Sequence, residues 1–359
     1  MKSFVDVDKA FAGQPRKLGP LLARIDTGKG REALFEDQLP ELLHRLAEDA
    51  RVASITASNA IEGVIVEDER AEQLAEGARR FRNRNEREFA GYRDATDELM
   101  RLESYAPLTV PYVLYLHRLL FAHSGGRGGH LKSDPNLIVS YGDGRRQVVF
   151  EPTAPEQTEF QLSELLTRYQ EAKEGQIAHP LVLIGALIVD FLAIHPVADG
   201  NGRLARLLTT HELLAEGYRV ARYASIEQRI YESKNAYYAA LHASQRGWHE
   251  SNHDIWPWIT YLAEILAAAY DDFEASIAAA KPATGNKQER VREHILEYAP
   301  ESFRRRDVAR ALPGISDATI RLVLAELRDE GSIESEGSGP GARWRRLPPQ
   351  GRRRSLRSM

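Results

Sequence analysis

The chain has 359 residues, 43% of them apolar and 28% charged, with a formal net charge of −4 and no cysteine. That length suits a principal domain joined to a smaller one, and the apolar content excludes wholesale disorder. The missing cysteine excludes disulfides, thiolate nucleophiles and thiolate zinc sites. The N-terminal run MKSFVDVDKAFAGQP has no signal-peptide h-region, so a soluble, cytoplasmic protein with no membrane segment is expected.

Residues 1–30, with Pro15, Pro20 and several glycines, read as irregular. From Glu32 to Ala60 apolar residues recur at helical spacing (Leu34, Leu39, Leu42, Leu43, Leu46, Ala50, Ile55), with Pro40 marking a break or a start. A second helical stretch is expected over Glu67–Leu102 and a short one over Pro111–Phe121. His123–Gly129 is a glycine-rich loop, and Leu137–Ser140 with Gln147–Phe150 around Gly142-Asp143-Gly144 predicts a β-hairpin. Helices follow at about 156–173, 180–194, 202–216, 229–245 and 254–280. The run Leu181–Ile194 is apolar apart from Asp190 and too short to span a bilayer, so it reads as a buried helix.

Beyond residue 280 the composition changes. Residues 281–359 hold 17 Lys+Arg against 11 Asp+Glu, whereas residues 1–280 hold 31 against 41. An acidic body with a basic end points to nucleic acid at one end only. Residues 281–286 read as a linker. Helical segments at 287–298, 306–312 and 317–330, then a glycine-turned hairpin over Ser332–Arg346, give the outline of a winged helix-turn-helix domain over 287–346, with a basic tail over 347–359.

The chemistry concentrates in His195-Pro-Val-Ala-Asp-Gly-Asn-Gly-Arg-Leu-Ala-Arg206, between a buried helix and the start of another. Gly200 and Gly202 allow a tight turn and close approach to a ligand. A helix start offers N–H groups and a favourable dipole to an anion. Arg203 and Arg206, one turn apart, add two permanent charges suited to phosphate. Asp199 is a hard oxygen ligand of the kind Mg²⁺ takes beside phosphates, and His195 is a base of near-neutral ordinary pKa.

This loop resembles the signature of Fic-domain proteins, His-x-x-x-(Asp/Glu)-Gly-Asn-Gly-Arg-x-x-Arg. By average residue usage its specified positions recur by chance in on the order of one chain in a million. The resemblance extends to the apolar helix before it, to Tyr237-Tyr238-Ala-Ala-Leu241 and to Trp256-Pro257-Trp258-Ile259. Val197 departs from it, since the family usually has Phe at that inward-packing position. The resemblance implies a mainly α fold: a Fic-type helical core with one β-hairpin flap over 110–280, preceded by an N-terminal helical region, 1–109. It also implies a protein adenylyltransferase moving AMP from ATP, with Mg²⁺, to a Ser, Thr or Tyr hydroxyl. His195 would take the hydroxyl proton and Asp199 would hold Mg²⁺. Gly200, Asn201 and Gly202 would form the anion hole, and Arg203 and Arg206 would contact the β- and γ-phosphates. The target protein would dock as an added strand on the hairpin at 137–150. Tyr238 and Gln245 fall where the family contacts adenine, although Asn is usual at the second. For Tyr237 and Tyr238 core packing is the competing reading, and for Trp256 and Trp258 it is the preferred one.

Ser58-Asn-Ala-Ile-Glu62-Gly63 matches the family's inhibitory pattern, (Ser/Thr)-x-x-x-Glu-(Gly/Asn). A pattern this short turns up in roughly a quarter of chains of this length, and it recurs at Ser332–Gly337, which we read as chance. At the end of a helix (about 45–63) just before the core, Glu62 would form a bidentate pair with Arg206, and Ser58 would help to position Glu62.

Rival functions stay open: removal of AMP by the same site, with Glu62 aligning water; another phosphoryl, nucleotidyl or phosphocholine transfer; or a DNA-binding regulator. In the last, Arg304–Arg306 and Arg321 would meet phosphates, with Gly339–Arg346 as the wing tip and Ser316 capping the third helix. A protein-interaction or homodimerisation role for that domain competes with DNA. His249 and His253 have zinc-compatible spacing but no third ligand nearby, and they read as surface histidines.

Overall fold

The computed structural model describes residues 2–32, 35, 39–125, 128–142, 145–280, 287–337 and 342–347. The expected linker at 281–286, the hairpin turn at 143–144, the wing tip at 339–341 and the tail from 348 lie outside them.

The N-terminus corrects the sequence reading. It forms a 3₁₀ turn (Lys2–Phe4), a short helix α1 (Val7–Ala10) capped by the Asp6 side chain, and a long helix α2 (Leu18–Glu32). Pro20 lies in the first turn of α2, where a missing N–H costs nothing. Leu18, Leu22 and Ile25 bury one face. Gly28 lies so close to the Tyr270 ring that a Cβ there would collide with it, so a glycine that reads as a loop signal serves helix packing.

Helix α3 (Pro40–Ile61) starts with proline at its first turn. The single helix expected over 67–102 is two, α4 (Asp68–Ala75) and α5 (Arg84–Arg101). Gly77, at φ 108°, turns the chain between them, and Asn83 caps the second by accepting from Glu86 N–H. Helix α6 (Val110–Leu120) precedes the hairpin, whose strands β1 (Ile138–Gly142) and β2 (Arg145–Phe150) pair antiparallel with a register shift between Ile138 and Val139.

Helix α7 (Pro155–Glu174) leads to α8 (Pro180–Ile194), in which every residue from Leu181 to Ile194 is buried. Its one charged residue is accounted for by packing. The Asp190 carboxylate accepts from Ser3 N–H (2.9 Å), Ser3 Oγ (2.9 Å) and Trp248 Nε1 (2.7 Å), which ties the N-terminus to the middle of α8. His253 belongs to this cluster, with Nε2 2.9 Å from Ser3 Oγ, so it is buried rather than a surface histidine. His249 instead stacks on Phe150.

After α9 (Asn201–Ala215) and the short α10 (Val220–Tyr223), the helix expected over 229–245 is again two, α11 (Ile226–Glu232) and α12 (Lys234–Gln245), broken at Ser233. Helix α13 (Trp256–Ala280) buries Trp256 and Trp258, which are core residues, as is Tyr237. Helix α3 packs against α5, α9, α10 and α11, so the inhibitory-pattern segment abuts the helix that follows the loop. Among the described residues no helix is long and apolar enough to cross a membrane.

The chain divides into two units, Met1–Tyr270 and Asp271–Met359. In the second, α14 (Lys287–Glu293) runs into a π-turn at His294–Tyr298, followed by β3 (Ser302–Arg304), α15 (Arg305–Ala311), α16 (Asp317–Asp329), β4 (Ile333–Glu336) and β5 (Arg343–Arg346). The antiparallel sheet has the order β3-β5-β4. Strand β3, at three residues, is too short to show a period in sequence. Val291, Ile295, Phe303, Ile320, Val323 and Leu327 are in its core.

Candidate active site

Helix α8 ends on His195, whose backbone turns left-handed (φ 53°, ψ 61°) while its N–H still bonds Phe191 O. Such a conformation is strained for a non-glycine residue and persists where surroundings enforce it. The enforcement comes from residues 129–136. Lys132 N–H donates to Pro196 O (2.9 Å) and Lys132 Nζ to Ile194 O (3.0 Å), while Asn136 Nδ2 donates to Val197 O (3.0 Å). Burial drops the Lys132 ammonium to about 8. The Asn201 side chain closes the loop from the other end, accepting from Val197 N–H and donating to Val197 O (2.6 Å). Val197 itself is fully buried, as expected of an inward-packing position.

The His195 ring places Nδ1 3.2 Å from Leu192 O. A carbonyl can only accept, so Nδ1 carries the proton and Nε2 is left as the basic nitrogen. Burial pushes the imidazole down to about 4, so it is neutral at pH 7 and able to accept a proton. His117 acts nearby in a structural capacity. Its Nδ1 accepts from Gly129 N–H (3.0 Å), so Nε2 donates to Asp199 O (3.1 Å). Burial holds this ring, too, at about 4.

Gly200 starts α9 at φ 87°, with its Cα against the Phe121 ring. Arg203 and Arg206 follow on the first turns, both buried. Arg206 Nη2 donates to Glu62 Oε1 (2.8 Å) and to Ser58 O (3.0 Å), and Arg206 Nε donates to Ser58 Oγ (2.7 Å). The expected bidentate Arg206–Glu62 pair is therefore single: Glu62 meets Nη2 alone, Ser58 takes Nε and shares Nη2, and Nη1 is left without a partner among the described residues. Ser58 holds Arg206 directly rather than orienting Glu62. Burial alone would raise the Glu62 carboxyl, but the Arg206 charge and hydrogen bond, with Arg203 and Lys234, outweigh it and hold it below the usual range. A Cβ on Gly202 would run into Glu62 Oε1, so the carboxylate lies directly against the start of α9, where an anion is favoured.

Arg203 has a different partner. Its Nη1 donates to Glu88 Oε2 (2.9 Å) from α5, and its guanidinium lies over Phe121 at 5.4 Å. Arg203 Nε and Arg206 Nη1 are both buried, with no hydrogen-bond partner among the described residues. An unpaired buried N–H costs roughly 1–3 kcal/mol, and an anionic ligand would relieve it.

A cleft of about 900 Å³ collects Glu62, His195, Asp199 and the Gly200–Gly202 backbone at its base. Leu137, Ile138, Val148 and Val149 of the hairpin form one wall, and Tyr238, Leu241 and Gln245 of α12 form another. Tyr238 is 44% exposed there and Gln245 is buried. Of the residues named for the Fic-type site, Glu62, His195, Asp199, Gly200, Asn201, Gly202, Tyr238 and Gln245 line this cleft, while Arg206 and Ser58 join it through Glu62 and Arg203 is held by Glu88. Glu88, His117, Lys132 and Asn136 were missed. They lie 59 or more residues from their loop partners, and only the i,i+4 spacing of Arg84 and Glu88 hinted at one of them. In the second unit, Arg305 and Arg321 both pair with Asp317, so two of the arginines considered for DNA phosphates already have a counter-ion. Ser316 caps α16 as expected, accepting from Thr319 N–H. Among the described residues no group of three or more His, Asp or Glu side chains is placed to hold a metal, and His253 and His249 are turned to Ser3 and Phe150.

Residues 107–213 match the Fic/DOC family. That stretch of the chain is a Fic domain. The chain is 25% identical over 172 residues to the protein adenylyltransferase Fic of Nematostella vectensis, covering 47% of this chain and 35% of that relative. It is 27% identical over 137 residues to the protein adenylyltransferase fic-1 of Caenorhabditis briggsae, covering 38% and 24%. The chain therefore spans about a third or less of these curated relatives. A Fic family protein from Desulfovibrio desulfuricans G20 shares the fold with a TM-score of 0.60 at 22% identity, covering 94% of this chain and 98% of that one. These likenesses agree with the mainly α architecture and place the Fic loop, its preceding helix α8 and the hairpin within the matched domain.

Proposed function

We propose that this Fic-domain protein transfers AMP from ATP to a hydroxyl side chain of another protein, and that Glu62 restrains it. The observation that carries the reading is the position of the Glu62 carboxylate. It sits against the start of α9 and on Arg206, in the same cleft as the neutral, Nε2-open His195. An anion already lies where the phosphates of ATP would lie.

In the proposed reaction the target hydroxyl gives its proton to His195 Nε2 as its oxygen bonds to the α-phosphorus of ATP. The bond from that phosphorus to the α,β-bridging oxygen breaks, and pyrophosphate leaves. Gly200, Asn201 and Gly202 present backbone N–H groups to the phosphates. Arg203 and Arg206 offer their unpaired buried N–H groups to the β- and γ-phosphates. The chain's contribution is placement and charge neutralisation. Asp199 fits a magnesium ligand, because its carboxylate is 61% exposed and, among the described residues, the arginines facing it stand 3.8 and 3.9 Å away. Mg²⁺ held by Asp199 would supply charge neutralisation for the phosphates. The exposed hairpin side chains Leu137 and Val148 suit docking of a target strand, and Tyr238 with Gln245 suits the adenine.

Glu62, 31% exposed towards the cleft, also suits a water-aligning role in AMP removal. We read residues 287–346 as a winged helix, and the Asp317 pairing of Arg305 and Arg321 favours a protein partner, including a second copy, over DNA.

Incubating cell lysate with α-³²P-ATP or γ-³²P-ATP and the Glu62→Gly protein tests this reading. Protein labelled from the α-phosphate alone is expected. Label from the γ-phosphate would mean phosphotransfer. Release of AMP from pre-labelled protein by wild type, with no transfer by either form, would favour the reverse reaction.

A further inference from the structure

Four charged side chains ring the outer edge of the Fic loop: Arg84 and Glu88 on α5, and Asp199 and Arg203 on the loop and α9. Their distances are unequal in a consistent way. Glu88 takes both short contacts, with Oε1 2.5 Å from Arg84 Nε and Oε2 2.9 Å from Arg203 Nη1. Asp199 faces the same two arginines at 3.8 Å from Arg84 Nη2 and 3.9 Å from Arg203 Nη2, beyond hydrogen-bond reach. Glu88 is 4% exposed and Asp199 is 61% exposed. Asp199 also lies on the boundary of two clefts, the one holding His195 and another of about 600 Å³ lined by Arg84, Arg87, His117 and His123.

Resting on the proposed reaction, we infer that Glu88 is a positioning residue: it holds Arg84 and Arg203 away from Asp199 and so keeps that carboxylate available to a divalent cation. The physical case is a competition. Two guanidiniums stand within 4 Å of two carboxylates, and a carboxylate that pairs with arginine is a poor metal ligand because the arginine's N–H groups occupy its lone pairs. The buried carboxylate wins both arginines, since burial strengthens the pairing and a lone buried Arg203 would be costly. The exposed one is left to water and metal. Two further contacts keep Asp199 from moving inward. His117 fixes its backbone carbonyl, and the face of Phe121 holds the Arg203 guanidinium on the far side. Without Glu88, Arg203 and Arg84 need shift by only about 1 Å to reach hydrogen-bond distance of Asp199.

The test measures binding, so it does not depend on turnover. Calorimetric affinities for α,β-methylene-ATP, which cannot transfer AMP, are taken with Mg²⁺ and with EDTA in the full chain carrying Glu62→Gly. The ratio of the two is the gain due to metal. Adding Glu88→Gln is expected to cut that gain about tenfold, within the range typical of residues behind a metal ligand; any change in the hold of Arg203 on phosphate enters both affinities and drops out of their ratio. Adding Arg84→Ala to that variant is expected to restore part of the gain, a rescue that a merely structural Glu88 would not show. Glu88→Asp keeps the buried charge, guards against poor folding of the Gln variant, and should fall between the two. A metal gain unchanged by both Glu88 variants, or a loss that Arg84→Ala does not relieve, would overturn the inference alone. A parent with no metal gain, or with no nucleotide binding, would overturn both the inference and the adenylyl-transfer reading.

Discussion

Arg203 and Arg206 sit one turn apart on the same helix, both are buried, and each is held by a glutamate from a different helix, yet the two mounts differ. Glu88 belongs to the body of α5, is almost fully buried, and meets Arg203 beside a second arginine. Glu62 is the C-cap residue of α3, is 31% exposed, and shares Arg206 with Ser58. A carboxylate inside a helix and out of water is a fixture. A carboxylate at a helix end, facing a cleft, can be displaced by a competing anion. In the proposed function, the same ion pair would serve as a permanent support in one place and as a removable restraint in the other.

The largest expected difference is in stability. Glu88→Ala takes away the buried partner of Arg203, for which the exposed Asp199 is a poor substitute, and should cost about 3 kcal/mol. Glu62→Ala should cost no more than about 1 kcal/mol, since the pair is partly solvated and Ser58 keeps two of the Arg206 contacts. Urea denaturation of both variants measures this, and equal losses would break the comparison. Next in size is Ser58→Ala. It leaves Arg206 Nε buried without an acceptor, costing roughly 1–3 kcal/mol. By loosening Arg206 it should also raise α-³²P labelling above wild type but below Glu62→Gly. Labelling below wild type would mean that Ser58 supports ATP binding instead. Val197→Phe, which forces extra volume into a fully buried site, should cost about 1–3 kcal/mol at thermal unfolding. A stabilised variant would show that the loop has room for the larger side chain.

The smallest expected effect is a flat pH profile. In the proposed reaction His195 acts as a base in its neutral form, which is lost only as pH falls through about 4. In the Glu62→Gly protein, kcat/KM should stay level from neutrality down to about pH 5, with no acid limb near the ordinary imidazole value of about 6.5. Removing the Glu62 charge, which favours the protonated ring, can only move that limb lower. An acid limb near 6.5 would mean that His195 is not the proton acceptor or is far more solvated than its burial implies.

The Fic loop was legible because its chemistry is contiguous. The candidate base, the candidate metal ligand, the glycines and the arginines lie within His195–Arg206, and a pattern of that kind does not need the fold to be recognised. Glu62 was legible through a short pattern placed at the end of a helix, but its partner geometry was not. The split of Arg206 between Ser58 and Glu62 depends on how α3 crosses α9, which no local spacing encodes. Glu88, His117 and Lys132 were invisible for the same reason: each acts on the loop across 62 or more residues of chain. Helix boundaries failed where a glycine or serine had two readings. Gly28 packs under Tyr270 inside a helix, Gly77 ends one, and only the tertiary neighbours distinguish them.

The most direct test of the account is α-³²P-ATP labelling of lysate proteins by wild type, Glu62→Gly and Glu62→Gly/His195→Ala at equal folded concentration. The account predicts weak label from wild type, at least about tenfold more from Glu62→Gly, and loss of about 10²–10⁴-fold on removing the base. Equal labelling by wild type and Glu62→Gly, or labelling that survives His195→Ala, would contradict it.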